Sequence, residues 1–199
     1  MFAWVLGVVE GGGYIGIFFL MILENIFPPI PSEAIIPLAG FLAAEGRLDI
    51  TLVILVSTLG TLVGCLFWYA VGRAVGLERI KWFCEKYGRI TTLSPQEVDT
   101  AQVWFTKYGA AAVFFGRLIP GVRTLISIPA GIAGMPLLPF LFYSTLGSIP
   151  WILILAALGY VLQSNYAQVE AYLDPVSTIV LGLIVLYYLY RVITYKTKR

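Results

Sequence analysis

Two carboxylates and two guanidinium groups interrupt otherwise apolar sequence, each pair beside a backbone break. Glu24 and Glu33 flank Pro28, Pro29 and Pro31 within Tyr14–Glu45, which also holds Pro37. Arg117 and Arg123 flank Pro120 and Gly121 within Gly109–Met135, with Pro129 beyond. Arginine presents a planar fork that matches phosphate oxygens and stays charged at any physiological pH. A carboxylate in a poorly solvated cavity can load and release a proton near neutrality. Glu33 and Glu45 are the first candidates for that role, with Glu24 beside them. Exposed N–H groups at the start of the helix after the second break would add to an anion site.

These residues need elements that hold them in an apolar setting. The chain has 199 residues, 59% hydrophobic and 12% charged, about half the charged share of a soluble domain. Ile50–Gly72 carries no charge, nor does Thr124–Val169, and Pro175–Tyr190 is a shorter uncharged run ending at Arg191. A spanning helix needs about 20 such residues. The two broken stretches are different. Proline removes a backbone donor and disfavours helix in the residue before it. The first therefore reads as half-helices over about 14–26 and 33–44, joined at Pro28–Pro31, and the second as two short arms around Pro120. Arms too short to cross make re-entrant hairpins, which a bilayer tolerates only inside protein or beside a wet cavity. Ionisable groups at such depth are costly and usually functional.

The two halves match each other. A shift of 91 residues places Ala39-Gly40 on Ala130-Gly131 and Pro29 on Pro120; a shift of 87 places Ser57-Thr58-Leu59-Gly60 on Ser144-Thr145-Leu146-Gly147 and Gly72 on Gly159. Each unit is one broken hairpin followed by one spanning helix, so it crosses once and the second copy starts on the opposite side. The expected architecture is an all-α polytopic membrane protein, an inverted repeat of re-entrant hairpin plus spanning helix, with an additional C-terminal transmembrane helix. Such repeats with discontinuous helices are a recurrent transporter design. The chain reads as a single membrane domain, 1–199, with repeat 1 at about 14–76 and an amphipathic linker at about 77–108. Repeat 2 covers about 109–162, and the C-terminal helix about 175–195. Hairpins entering from opposite faces would bring Glu24, Glu33 and Glu45 towards Arg117 and Arg123. Small residues such as Gly60, Gly64, Ala70, Ala156 and Ala157 would permit close helix approach.

Lys and Arg set the orientation. They gather at Arg73, Arg79, Lys81, Lys86, Arg89 and Lys107, and again from Arg191 to Arg199, whereas 163–174 has none. The positive-inside rule places the central segment and the C-terminus in the cytoplasm. Ser94-Pro95-Gln96-Glu97 reads as a capping box opening an interfacial amphipathic helix with Val98, Ala101, Gln102 and Phe105 on one face. Met1–Val9 has no basic n-region and does not read as a cleavable signal. Gly11-Gly12-Gly13 reads as a hinge or turn; whether the first twelve residues span, lie in the interface or extend the hairpin is left open. The net charge of +2 does not suggest nucleic acid, and the absence of histidine removes His-dependent phosphatases and zinc proteases. Cys65, in an apolar run, and Cys84, in a polar loop, read as structural. No cofactor or metal is called for.

The residues also carry a family resemblance. Glu24-x-x-x-Pro28-Pro29-Ile30-Pro31-Ser32-Glu33 resembles the first hairpin of the DedA family, also called the SNARE-associated or VTT-domain family. Phe115-Gly116-Arg117-x-x-Pro120-x-x-Arg123 followed by Ala130-Gly131 is similar to its second signature, and Gly60-x-x-x-Gly64-x-x-x-x-Tyr69-x-x-Gly72-Arg73 to the helix between. The resemblance covers roughly residues 14–195. It implies that Glu33, Glu45 (often Asp in relatives), Arg117 and Arg123 are functional. It also implies translocation of a lipid, coupled in some bacterial members to a proton or sodium gradient, with undecaprenyl phosphate as a favoured cargo. The setting would be a bacterial-type plasma (inner) membrane, and a homo-oligomer is compatible with the sequence.

Together these readings give an exchange. Ionised carboxylates pair with Arg117 and Arg123 and close the cavity; protonation frees the arginines for phosphate; rocking of one unit against the other exposes the head group to the other face. A phospholipid scramblase, a non-transporting membrane scaffold, a small-ion or drug antiporter and a lipid-phosphate enzyme are the competing classes.

Overall fold

Helices follow the apolar runs and stop where glycine, proline or a polar turn intervenes. A computed structural model describes residues 2–27, 32–91, 95–119 and 122–161. The described residues form α1 (Phe2–Ile26), α2 (Ser32–Ala44), α3 (Ile50–Thr91), α4 (Pro95–Leu118), α5 (Val122–Leu125), α6 (Ser127–Ile132) and α7 (Leu137–Val161), with no strand among them. Three stretches are long and apolar enough to cross a bilayer, Trp4–Ile26, Ile50–Lys86 and Leu137–Val161. The protein is an all-α membrane protein. Outward-facing side chains such as Ile15, Phe19, Leu55, Phe115, Leu138 and Phe142 are exposed and apolar, while Glu24 and Arg117 are buried. That is the distribution lipid solvent demands.

The first long stretch is not straight. Gly13 takes φ 51° and ψ −131°, a conformation open to glycine and strained for other residues. A Cβ on Gly16 would run into the Val8 carbonyl oxygen. Eight residues of straight helix span about 12 Å, so a contact across that interval means the chain reverses at Gly13. Residues 2–12 therefore fold back on 14–26 and extend the first hairpin. Val5 and Val9 join Ile17, Leu20 and Met21 in one core with Ile35, Leu38 and Ile152. The helix pair is short on each side of Gly13, so its combined length is not that of a single span.

Two sequence expectations are corrected in the central segment. It is helical over more of its length than the one helix expected there: α3 runs on to Thr91, with Gly76 at φ 70° inside it, where a left-handed residue bends a helix. Cys84 thus lies in a helix and is buried. The amphipathic stretch is likewise not a separate element, because α4 runs unbroken from Pro95 to Leu118 and becomes the first arm of the second hairpin. Lys81 and Asp99 tie the returning helices at 2.5 Å. Phe105 is buried with Cys65, Tyr69, Val113 and Phe140 in a second core, whereas Val103, Trp104 and Tyr108 are exposed. The hairpin breaks Pro28, Pro29, Pro31, Pro120 and Gly121, the capping residue Ser94 and the expected C-terminal helix lie outside the described residues.

Packing within and between the halves comes in matched pairs. α1 packs on α3 as α4 packs on α7, and α2 packs on α7 as α6 packs on α3. A Cβ on Gly60 would meet the Phe18 carbonyl oxygen at 2.6 Å and Met21 Cβ at 2.8 Å; one on Gly147 would meet the Phe114 carbonyl oxygen at 2.6 Å and Arg117 Cβ at 2.7 Å. Gly40 abuts the Ala156 carbonyl, and Gly131 abuts the Tyr69 carbonyl; Gly159 abuts Pro37, and Gly72 abuts Ile128. The Gly40, Gly131, Gly159 and Gly72 contacts map onto their mates under the two shifts read from the sequence, and Gly60 maps onto Gly147, whose partners on α1 and α4 are equivalent by position in the helix pair but not by either shift. Lipid supplies little hydrophobic drive between helices, so backbone approach through small residues holds these pairs together.

Candidate functional site: a buried charge cluster where the hairpins meet

Four helix ends converge on one point. The last turn of α1 carries Glu24 and Asn25, and the first turn of α2 carries Ser32 and Glu33. The last turn of α4 carries Arg117, and α5 carries Arg123. Broken helices place side chains at such depth because their ends, not their sides, face the centre.

Arg123 is the hub. Its Nη2 donates to Glu24 Oε1 at 2.8 Å and to Glu33 Oε1 at 3.5 Å, and also to the Ser32 hydroxyl. Its Cζ lies 5.5 Å from the Trp151 ring centroid, within cation–π range. Asn25 Nδ2 donates to the second oxygen of Glu24, Oε2, at 2.7 Å and to the Met21 carbonyl at 3.1 Å. Cys65 Sγ donates to Asn25 Oδ1 at 3.4 Å. Trp68 Nε1 donates to the Asn25 carbonyl at 2.9 Å, satisfying one of the acceptors that a helix end leaves open.

Arg117 stands behind this pair, 2% exposed. Its Nη2 donates to Ser127 Oγ at 2.7 Å, while its Nε has no hydrogen-bond partner. Among the described residues no ion pair reaches it. The cavity between the hairpins holds about 10 Å³, room for roughly one water. Glu24, Asn25, Thr61, Arg117, Arg123 and Trp151 are among its walls. The site is closed: admitting a phosphate group requires the hairpins to move.

A second polar cluster lies at the opposite end of α2. Arg47 Nη1 sits 3.0 Å from Glu10 Oε1 and 3.7 Å from Glu45 Oε2, with these side chains well exposed. The Asp49 amide donates to Tyr14 Oη at 2.7 Å, and Asp49 Oδ1 caps the Leu52 amide at 3.0 Å. A 13-residue helix separates the two clusters, roughly 20 Å of axis.

The sequence matches a known family. The family model of the VTT domain covers residues 30–161. The chain belongs to the VTT-domain (DedA) family. It is 38% identical over 196 residues to an "Alkaline phosphatase-like protein" of Lactococcus lactis subsp. lactis, covering 98% of this chain and 92% of that one. It is 34% identical over 187 residues to "Undecaprenyl phosphate transporter A" of Staphylococcus aureus, covering 94% and 92%. The protein of that name in Bacillus subtilis is 36% identical over 180 residues, covering 88% and 87%. No solved structure matches.

In the structure the expected residues divide. Glu24, Glu33 and Arg123 come together. Arg117 faces the same cavity, but its partner is the Ser127 hydroxyl rather than a carboxylate. Glu45 does not approach the arginines; α2 holds it at the far end against Arg47. Asn25, Ser32, Ser127, Thr61 and Trp151 were not singled out by the sequence reading. Their signal was available: each is a hydrogen-bonding side chain within an apolar run, and Asn25, Ser32 and Ser127 lie near a break.

Proposed function

We propose that this protein translocates an anionic, phosphate-bearing lipid across the membrane, with undecaprenyl phosphate as the cargo and proton or sodium coupling. The observation that carries the reading is the shared guanidinium of Arg123, held by Glu24, Glu33 and Ser32 in a closed cavity. Two relatives aligned over most of the chain bear the name of an undecaprenyl phosphate transporter, and this supports the cargo.

The mechanism follows from charge. Two arginines face two carboxylates, so the ionised cluster is balanced. Loading a proton on a carboxylate leaves net positive charge and frees the fork of Arg123. A phosphate then replaces the carboxylates on Arg123, with Arg117 as second donor. The exchanged packing of α2 on α7 and α6 on α3 supports two inverted units that rock about the site. In this reading Glu24 and Glu33, which pair with Arg123, carry the exchange, and Glu45, paired with Arg47 in an exposed cluster, does not. Its place is a bacterial plasma (inner) membrane, multi-pass, with the basic segment around Lys81–Lys107 in the cytoplasm.

The lactococcal relative's name raises phosphoester hydrolysis as a second reading. We read the chain as a transporter and not an enzyme, because both carboxylates of the cluster, buried Glu24 and half-buried Glu33, are engaged by a guanidinium.

The test is movement of labelled undecaprenyl phosphate between leaflets of proteoliposomes, with release of inorganic phosphate followed in parallel. Wild type should move the lipid without releasing phosphate, and Arg123→Lys, which keeps the charge but loses the fork, should lose most of that movement. Movement equal in wild type and empty liposomes would favour a scaffold, and gradient-independent movement of ordinary phospholipids would favour a scramblase.

A further inference from the structure

The walls of the central cavity carry more unpaired polar atoms than the charge cluster accounts for. Arg117 Nε, Trp151 Nε1 and Thr61 Oγ1 are all buried and without a hydrogen-bond partner, and all three residues line the cavity. Buried polar groups are normally satisfied, so three orphans at one cavity point to an occupant. Two of the three are N–H groups that can only donate, and Thr61 can donate as well. A site that offers donors selects an oxygen acceptor.

We propose that Thr61 and Trp151 complete, with Arg117, a donor pocket for the phosphate oxygens of the cargo. The inference rests on the phosphate-lipid reading and extends it to two residues outside the paired charges. Trp151 serves twice: its ring faces Arg123 at 5.5 Å, and its N–H offers a donor. In the closed state a cavity of about 10 Å³ has room for roughly one water-sized group, the scale of a single phosphate oxygen. Thr61 comes from the spanning helix of the first half and Trp151 from that of the second. An occupant held by both would therefore join the two halves.

The experiment is equilibrium binding of radiolabelled farnesyl phosphate to the full chain in nanodiscs, with farnesol as the neutral control. Thr61→Val removes a donor at nearly constant shape, and Trp151→Phe removes a donor while keeping a smaller aromatic ring beside Arg123. Each should weaken farnesyl phosphate binding about tenfold, the scale of one hydrogen bond to a charged group, and leave farnesol binding unchanged. Thr61→Ser, which keeps the hydroxyl, should bind as wild type does. If wild type prefers farnesyl phosphate and Arg123→Lys loses that preference, while Thr61→Val and Trp151→Phe retain it, the donor pocket is overturned and the phosphate reading stands. No preference of wild type for farnesyl phosphate over farnesol overturns both. Equal loss of farnesyl phosphate and farnesol binding in the two variants marks a packing role and overturns the pocket.

Discussion

Glu24 and Arg123 lie 2.8 Å apart with side chains 4% and 15% exposed. Removing one partner of a buried pair leaves an uncompensated charge, at a cost of about 3–5 kcal/mol. Arg123→Ala should therefore lower the detergent-solubilised melting temperature sharply, and Arg123→Ala combined with Glu24→Gln should recover much of the loss. A double-mutant cycle that sums additively would remove the pair from the account. Arg117 supports a finer prediction. Arg117→Lys keeps a charge but gives up the planar fork, so lipid movement should fall about tenfold or more, as expected from losing one charge-assisted hydrogen bond, with the melting temperature little changed. The four charged residues of the site, Glu24, Glu33, Arg117 and Arg123, were legible as charges in apolar sequence. Their partners were not. Which polar side chain answers which charge depends on how two hairpins distant in sequence meet, and periodicity carries no such information. Glu45 shows the same limit: its spacing from Glu33 was visible, but a helix directs them to opposite ends.

At the scale of elements, close backbone contact sets the packing. Gly40 and Gly131 each abut a carbonyl of the other half's spanning helix, at Ala156 and Tyr69. Gly40→Val and Gly131→Val should each destabilise the fold by about 1–3 kcal/mol, and by similar amounts because the contacts are mates. A large effect at one and none at the other in thermal melts would break the equivalence of the halves. The repeat could be read from sequence because these glycines recur in order. The continuity of α4 and the helical run beyond Gly72 could not. Both stretches change from apolar to charged without any residue that must end a helix, so composition marked a boundary that the backbone does not have. The reversal at Gly13 was readable only as a run of three glycines; its φ of 51° shows which one turns.

For the whole molecule the charge pattern predicts sidedness. A cysteine placed at the exposed Gln96 should react with an impermeant thiol reagent only from the cytoplasmic side of intact cells; labelling from outside would invert the topology. The central claim concerns coupling between the halves through one guanidinium. If protons release Arg123 for phosphate, fixing both carboxylates in a neutral form must separate movement from its driving gradient. The measurement is transfer of labelled undecaprenyl phosphate in proteoliposomes under an imposed pH gradient, comparing wild type with Glu24→Gln/Glu33→Gln. The account predicts that wild type accumulates the lipid in one leaflet under the gradient, and that the double variant only equilibrates it, at the same level with or without the gradient. Gradient-driven accumulation in the double variant would show that the coupling lies elsewhere and would contradict the exchange at Arg123.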